Sequence, residues 1–184
     1  FDPDAMARAD LTLGIADKWI LTELGRAIAD TREALDSYRF NDAAETIYHF
    51  TWHIFCDWYI ELAKPMLEGQ SAATTRWVLW YVLKNILELA HPVIPFMTEE
   101  IWQKLPGAKG VSIVVASYPK TDESLIFPDE DRGMNILLEL ISGIRSIRGE
   151  SSIPPGLELN VVLKAEAQEV RQIVQGHMDY VRRL

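Results

Sequence analysis

Pro92 and Pro95 stand three residues apart, where an apolar helical pattern stops and an acidic one begins. Proline lacks a backbone N–H and disfavours helix in the residue before it, so one helix must end at Ala90-His91 and cannot run on through Ile94. Thr98, Glu99 and Glu100 suit a new helix start, because carboxylates are favoured at the positive end of the helix dipole. The sequence therefore predicts a helix from about 72 to 90 and a short one over 98–105. Between them lies a fixed apolar corner of Val93, Ile94, Pro95, Phe96 and Met97, expected to be wedged between the two helices. If the Phe96 ring is buried there, Phe96→Ala should cost about 3–5 kcal/mol.

The rest of the chain is mostly helical in pattern. From Asp17, a plausible N-cap, to about Tyr38, apolar Trp19, Ile20, Leu24, Ala27, Ile28 and Leu35 face one way, with Lys18, Glu23, Arg26, Asp30 and Glu33 opposite. Asn41 is placed to cap a second helix running to about Ala63, and Gln70-Ser71 break the chain after it. A further helix is expected from Asp129 to about Gly149. Ser112 to Ser117 reads as extended, and the alternating, β-branched run Leu157 to Leu163 reads as a strand. A last helix follows from Ala167 to Leu184. The expected fold is mainly α: a lead-in over 1–14, a helical bundle over 15–150 and a small α/β appendage over 151–184, expected to be truncated before its strand finds a neighbour unless residues 112–117 pair with it.

Charge and composition exclude several classes. The net charge of −9 and pI near 4.9 argue against general nucleic-acid binding, DNA included, since Lys and Arg must neutralise phosphates. A local basic face can still serve one structured RNA. The longest apolar run, Trp77 to Leu83, is far too short to span a bilayer, and no signal peptide is visible. One cysteine, Cys56, excludes an internal disulfide and favours the cytoplasm. The first residue is Phe, which suggests a piece of a longer chain.

Several side-chain groups invite a chemical reading. His49, His53 and Cys56 share a helical stripe at metal-ligand spacing, but Phe50, Trp52 and Phe55 crowd the same helix and no glutamate completes a zinc motif, so no metal is assigned. Asp57 and Glu61 share a face, and Glu61 can pair with Lys64 as an ordinary surface contact. Trp77, Trp80 and Tyr81 have the π-faces on which bases stack, yet their spacing in an apolar helix is that of core residues. Arg145 and Arg148 suit either the negative end of their helix or a phosphate. Arg26, Arg32 and Arg39 are further cationic candidates.

The segment His91-Pro92-Val93-Ile94-Pro95-Phe96-Met97-Thr98-Glu99-Glu100-Ile101-Trp102-Gln103-Lys104-Leu105 resembles one found in the anticodon-binding domains of class Ia aminoacyl-tRNA synthetases. Phe55-Cys56-Asp57-Trp58-Tyr59-Ile60-Glu61, with Lys64-Pro65, resembles a run that marks the valyl-tRNA synthetases within that class. Ala16 to Leu21, Tyr38 to Ala44, Ile144 to Arg148 and Ile153-Pro154-Pro155 fit the same family in the same order, so the resemblance covers most of residues 16–163.

The resemblance implies a domain that holds the tRNA(Val) anticodon stem-loop. It would position the tRNA for ATP-dependent aminoacylation by a catalytic domain of the same polypeptide. The family's ATP-binding signatures, H-x-G-H and K-x-S-K, are absent here, so no catalytic residue and no cofactor is assigned to this chain. Residues 1–14 do not resemble the helix with which the family's domain opens. The tRNA-contact candidates are Arg26, Arg32, Arg39, Arg145 and Arg148. The alternative reading is a helical protein-interaction scaffold without RNA binding, favoured by the acidic charge.

Overall fold

Burial of one stripe of the first helix organises the chain's larger unit. The structure, a computed structural model, describes residues 3, 11–69, 71–107, 110–154 and 156–183. It divides into two compact units, Phe1–Pro128 and Asp129–Leu184. The expectations at Gln70, Pro155 and Leu184, and most of the lead-in, fall outside the described residues.

In the first unit, α1 (Ile15–Asp36) buries Trp19, Ile20, Leu21, Leu24, Ala27 and Ile28. Asp17, expected as its N-cap, is instead the third helical residue. Its Oδ2 accepts a hydrogen bond from Gly14 N at 3.0 Å, which satisfies a donor left over at the helix start. α2 (Phe40–His49) runs without a break into a π-helical stretch, Phe50–Tyr59, then α3 (Ile60–Ala63) and a 3₁₀ turn, Lys64–Glu68. The π spacing places Phe50 and Phe55, five residues apart, in the core, and Phe55 stacks on buried Tyr59 with ring centroids 6.2 Å apart.

α4 (Ala72–Ala90) packs on α1 and buries Trp77, Val78, Val82, Ile86, Leu87 and Leu89. α5 (Pro95–Trp102) begins three residues before the expected Thr98. Proline's fixed φ suits the first helical position, where its missing N–H costs nothing. Thr98 is consequently a buried residue of the first turns. Its Oγ1 lies 3.0 Å from Ile94 O, 3.1 Å from Pro95 O and 2.8 Å from His91 Nδ1.

The expected burial of the corner is overturned. Val93, Ile94 and Met97 are exposed, and Phe96 is 92% exposed. Helix geometry gives the reason: Thr98 and Trp102, one turn apart, are the buried positions of α5. At about 100° per residue, Phe96 then points to the opposite side. Trp102 joins Leu87, Leu105 and Ile113 in a core cluster flanked by Trp80, Leu83 and Ala116.

The expected extended run over 112–117 holds a 3₁₀ turn, Ile113–Val115, capped by Ser112 Oγ accepting from Val114 N at 3.2 Å. Glu99 pins it: its Oε2 accepts from Ser112 Oγ at 2.8 Å and from Ile113 N at 3.1 Å. The following segment straps back over α1. Arg32 donates to Pro119 O, Thr121 Oγ1 to Gly25 O, and Phe127 N to Thr22 Oγ1. An added Cβ at Gly25 would lie 2.5 Å from Ile126 Cδ1, so the tip of the Ile126 side chain would have to move aside.

The second unit carries α6 (Pro128–Glu150), whose buried face includes Met134, Leu137 and Ile141, then α7 (Gln168–Gly176) and α8 (Met178–Arg183). The single last helix expected from Ala167 is thus broken at His177 (φ −131°). Residues 157–163 form no strand, and among the described residues there is none. A strand exists only by pairing, and no described segment lies beside this run as a ladder partner. The mainly helical fold stands, while the β part of the appendage is not formed.

Candidate nucleic-acid interface

The five arginines read as phosphate contacts fall in both units, and each is engaged. In the first unit, Arg26 and Arg39 are half-exposed and held by neighbouring carboxylates. Arg26 pairs with Glu23 one turn back, and Arg39 reaches Asp42 at 3.1 Å and Glu33 at 3.3 Å. Arg32 is partly buried: its Nη1 donates to Pro119 O at 3.0 Å and its guanidinium lies 5.9 Å from the Tyr118 ring centroid. Burial raises the Tyr118 hydroxyl above its ordinary pKa, and Arg32 opposes this. Arg32 thus fastens the strap to α1.

In the second unit, Arg148 closes the turn after α6. Its Nη2 donates to Pro154 O at 2.7 Å and to Leu157 O at 3.1 Å. Arg145, one turn earlier, is exposed on α6.

Arg26 also lines a cleft of about 360 Å³ between α1 and α2, shared with Glu23, Asp30, Asp42, Glu45 and His49. Four carboxylates against one arginine make its interior hostile to phosphate. A nucleic-acid backbone would have to meet these cations from the outer lip.

The aromatic candidates divide. Trp77 is buried and stacks on Tyr81 at 4.9 Å and 9°, while Trp80 donates Nε1–H to Pro106 O at 3.0 Å. Trp77 thus belongs to the core, with Trp80 and Tyr81 half-buried beside it. A different set faces solvent: Tyr38, Phe40, Tyr48 and Trp52. Tyr38 and Phe40 meet edge to face at 6.3 Å on either side of Arg39, and Tyr48 meets His53 edge to face at 5.8 Å. Exposed rings interleaved with a guanidinium provide the chemistry on which unpaired bases stack. Sequence reasoning passed over these four. The signal was present in the Tyr38-Arg39-Phe40 run at a helix break, and in Tyr48 and Trp52 one turn apart and off the buried stripe.

The His49, His53 and Cys56 group has no metal-like convergence. His53 Nδ1 lies 3.2 Å from Asp57 Oδ2, and the His49 and His53 rings are 5.5 Å apart. Burial, with the Asp57 charge adding to it, pushes the Cys56 thiol up, away from the thiolate a metal would need. Among the described residues no three His, Cys, Asp or Glu side chains are placed to hold a metal ion. Glu61 pairs with Lys64 at 2.6 Å, the surface contact expected from their spacing.

Fold and site together define a helical bundle with a stapled proline elbow and an aromatic, arginine-bearing edge. Residues 17–163 match the family described as the anticodon-binding domain of tRNA ligase. The chain belongs to that family. It is 50% identical over its whole length to the valine–tRNA ligase of Geobacter sulfurreducens and 42% identical to that of Syntrophotalea carbinolica. The valine–tRNA ligase of Enterococcus faecalis is 39% identical over 98% of the chain. The chain spans 21% of the length of each of these relatives.

Proposed function

We propose that this chain is the part of a valine–tRNA ligase that binds the anticodon stem-loop of tRNA(Val). The observation that carries the reading is the family match over residues 17–163, which takes in α1 from its third residue and all of α2 to α6. The identity to valine–tRNA ligases, together with the Phe55 to Glu61 run, supports valine over the sister specificities. Valine activation by ATP, and transfer to the tRNA end, belong to a catalytic domain of the same polypeptide. The bundle contributes positioning: fixing one end of a rigid tRNA orients its distant acceptor end and removes orientational freedom before reaction. Arg26, Arg39 and Arg145 are the candidate phosphate contacts, and the Tyr38–Phe40 and Tyr48–Trp52 pairs the candidate base platforms. Such an enzyme works in the cytoplasm. Among the described residues, no helix is long and apolar enough to cross a membrane.

The test is a low-salt fluorescence titration of the chain with the tRNA(Val) anticodon stem-loop, beside a loop changed at the middle anticodon base. Preferential binding of the cognate loop is expected, with affinity falling as salt rises. Equal binding of both loops would remove anticodon recognition, and no binding at any salt would remove the RNA role of this chain.

A further inference from the structure

The elbow between α4 and α5 is built firmly and yet presents its apolar side chains to solvent. Val93 N and Ile94 N both donate to Ala90 O at 2.9 Å, His91 meets Thr98 at 2.8 Å, and Pro92 and Pro95 restrict the backbone on either side. From this frame Val93, Ile94, Phe96 and Met97 stand 53%, 45%, 92% and 63% exposed. Scattered apolar residues on a surface are ordinary, but four neighbours held on one stiff turn form a patch of the kind that marks an interaction site. Its rigidity means that little conformational freedom is lost when something covers it.

We infer that this elbow is a docking surface for an apolar face of the remainder of the ligase polypeptide, an inference that rests on the chain being part of such a ligase. Three observations choose that occupant. Pro92 to Met97 contains no charged residue, so the patch offers no cation to a phosphate, unlike the Tyr38-Arg39-Phe40 edge. Four side chains are also too few for a free-standing partner, since stable interfaces between separate proteins bury about 1,200–2,000 Å². A partner on the same chain is already at high effective concentration, so a small contact suffices. Finally, this chain spans only about a fifth of its relatives' length, which leaves a large body of protein to supply the opposite face.

The test is hydroxyl-radical footprinting, read residue by residue by mass spectrometry, on this chain and on the full-length parent polypeptide. In the chain alone Met97 and Phe96 should be modified at the rate of open side chains. In the parent, Met97 should slow to the rate of Met134, which is fully buried. Phe96→Asp should melt as wild type in this chain, and in the parent should return Met97 to its open rate. Unchanged Met97 modification between chain and parent would overturn the inference. So would protection that appears in the chain only at high concentration, which indicates a second copy, or only on adding tRNA, which indicates an RNA contact. Protection in the parent with no cognate-loop binding would leave the docking surface standing and remove only the tRNA reading. Cognate-loop binding without protection would do the reverse.

Discussion

The Tyr59 hydroxyl donates a 2.6 Å hydrogen bond to Oδ1 of Asp17, and neither residue is accessible to solvent. This contact joins the π-helical stretch to the start of α1. Burial pushes the Asp17 carboxyl above its ordinary pKa, and the hydrogen bonds from Tyr59 and Gly14 oppose that rise without cancelling it. A folded-state pKa above the unfolded one means that the native state holds the proton longer. Stability from this group is therefore greatest below the ordinary carboxylate pKa, declines as pH rises through the raised value, and is level beyond it. Tyr59→Phe removes one opposing bond, so the decline should extend to higher pH, with about 2 kcal/mol lost at neutral pH. Asp17→Asn should abolish this part of the slope. Urea unfolding across the acid range checks both, and an Asp17→Asn profile parallel to wild type would disprove the assignment.

Glu99 has the opposite sign. Hydrogen bonds from Gln103, first in size, then from Ser112 and Ile113 N, hold its carboxyl below the ordinary value. The stability it confers is present above the ordinary glutamate pKa and is lost as pH falls through the lowered one. Glu99→Gln should lower Tm at neutral pH, with faster amide exchange at Ile113, and should change little once wild-type Glu99 is itself protonated in acid. An equal Tm loss at both pH values would show that the charge is irrelevant.

How much of this was legible in the sequence depends on the range over which each signal acts. α1, α4 and α6 follow from a period of 3.6 sustained over five turns or more, and the proline elbow follows from local sterics. The π stretch was not legible, because its signature is a five-residue interval between Phe50 and Phe55 inside an already aromatic run. Burial at the elbow was misread because composition alone cannot say which face of α5 turns inward. That choice belongs to Trp102, whose indole Nε1 finds Val111 O at 2.9 Å and whose ring fits the Leu87, Leu105 and Ile113 cluster. The strand reading of Leu157 to Leu163 failed on a non-local requirement, a ladder partner. For the candidate interface, the arginines were named from charge, but whether each braces the fold depends on long-range partners such as Pro119 for Arg32.

The elbow gives a sharp contrast between neighbours on one helix. Phe96→Ala should leave the stability of this chain within about 0.5 kcal/mol of wild type, because the ring is already in water. Trp102→Ala should cost about 3–5 kcal/mol, because it empties the cluster, although Gln103 Nε2 still donates to the Val111 carbonyl. Thermal melts of the two variants decide the matter. A Phe96→Ala loss comparable to that of Trp102→Ala would mean that the elbow is packed in solution.

Arg32 and Arg39 separate bracing from binding. Arg32→Ala should lower stability by about 2 kcal/mol through the lost bond to Pro119 O, freeing the strap from α1. Arg39→Ala breaks only exposed ion pairs, with Asp42 and Glu33, and should move stability by no more than about 1 kcal/mol. If Arg39 meets a phosphate, its loss should weaken cognate and altered stem-loops alike and reduce the slope of log K against log salt by about one. Removal of a bracing arginine leaves that slope unchanged among molecules that remain folded. Binding at several salt concentrations, measured beside the melts, reads both effects. An Arg39→Ala protein with the wild-type slope would take Arg39 out of the interface and leave Arg26 and Arg145 as the residues to substitute next.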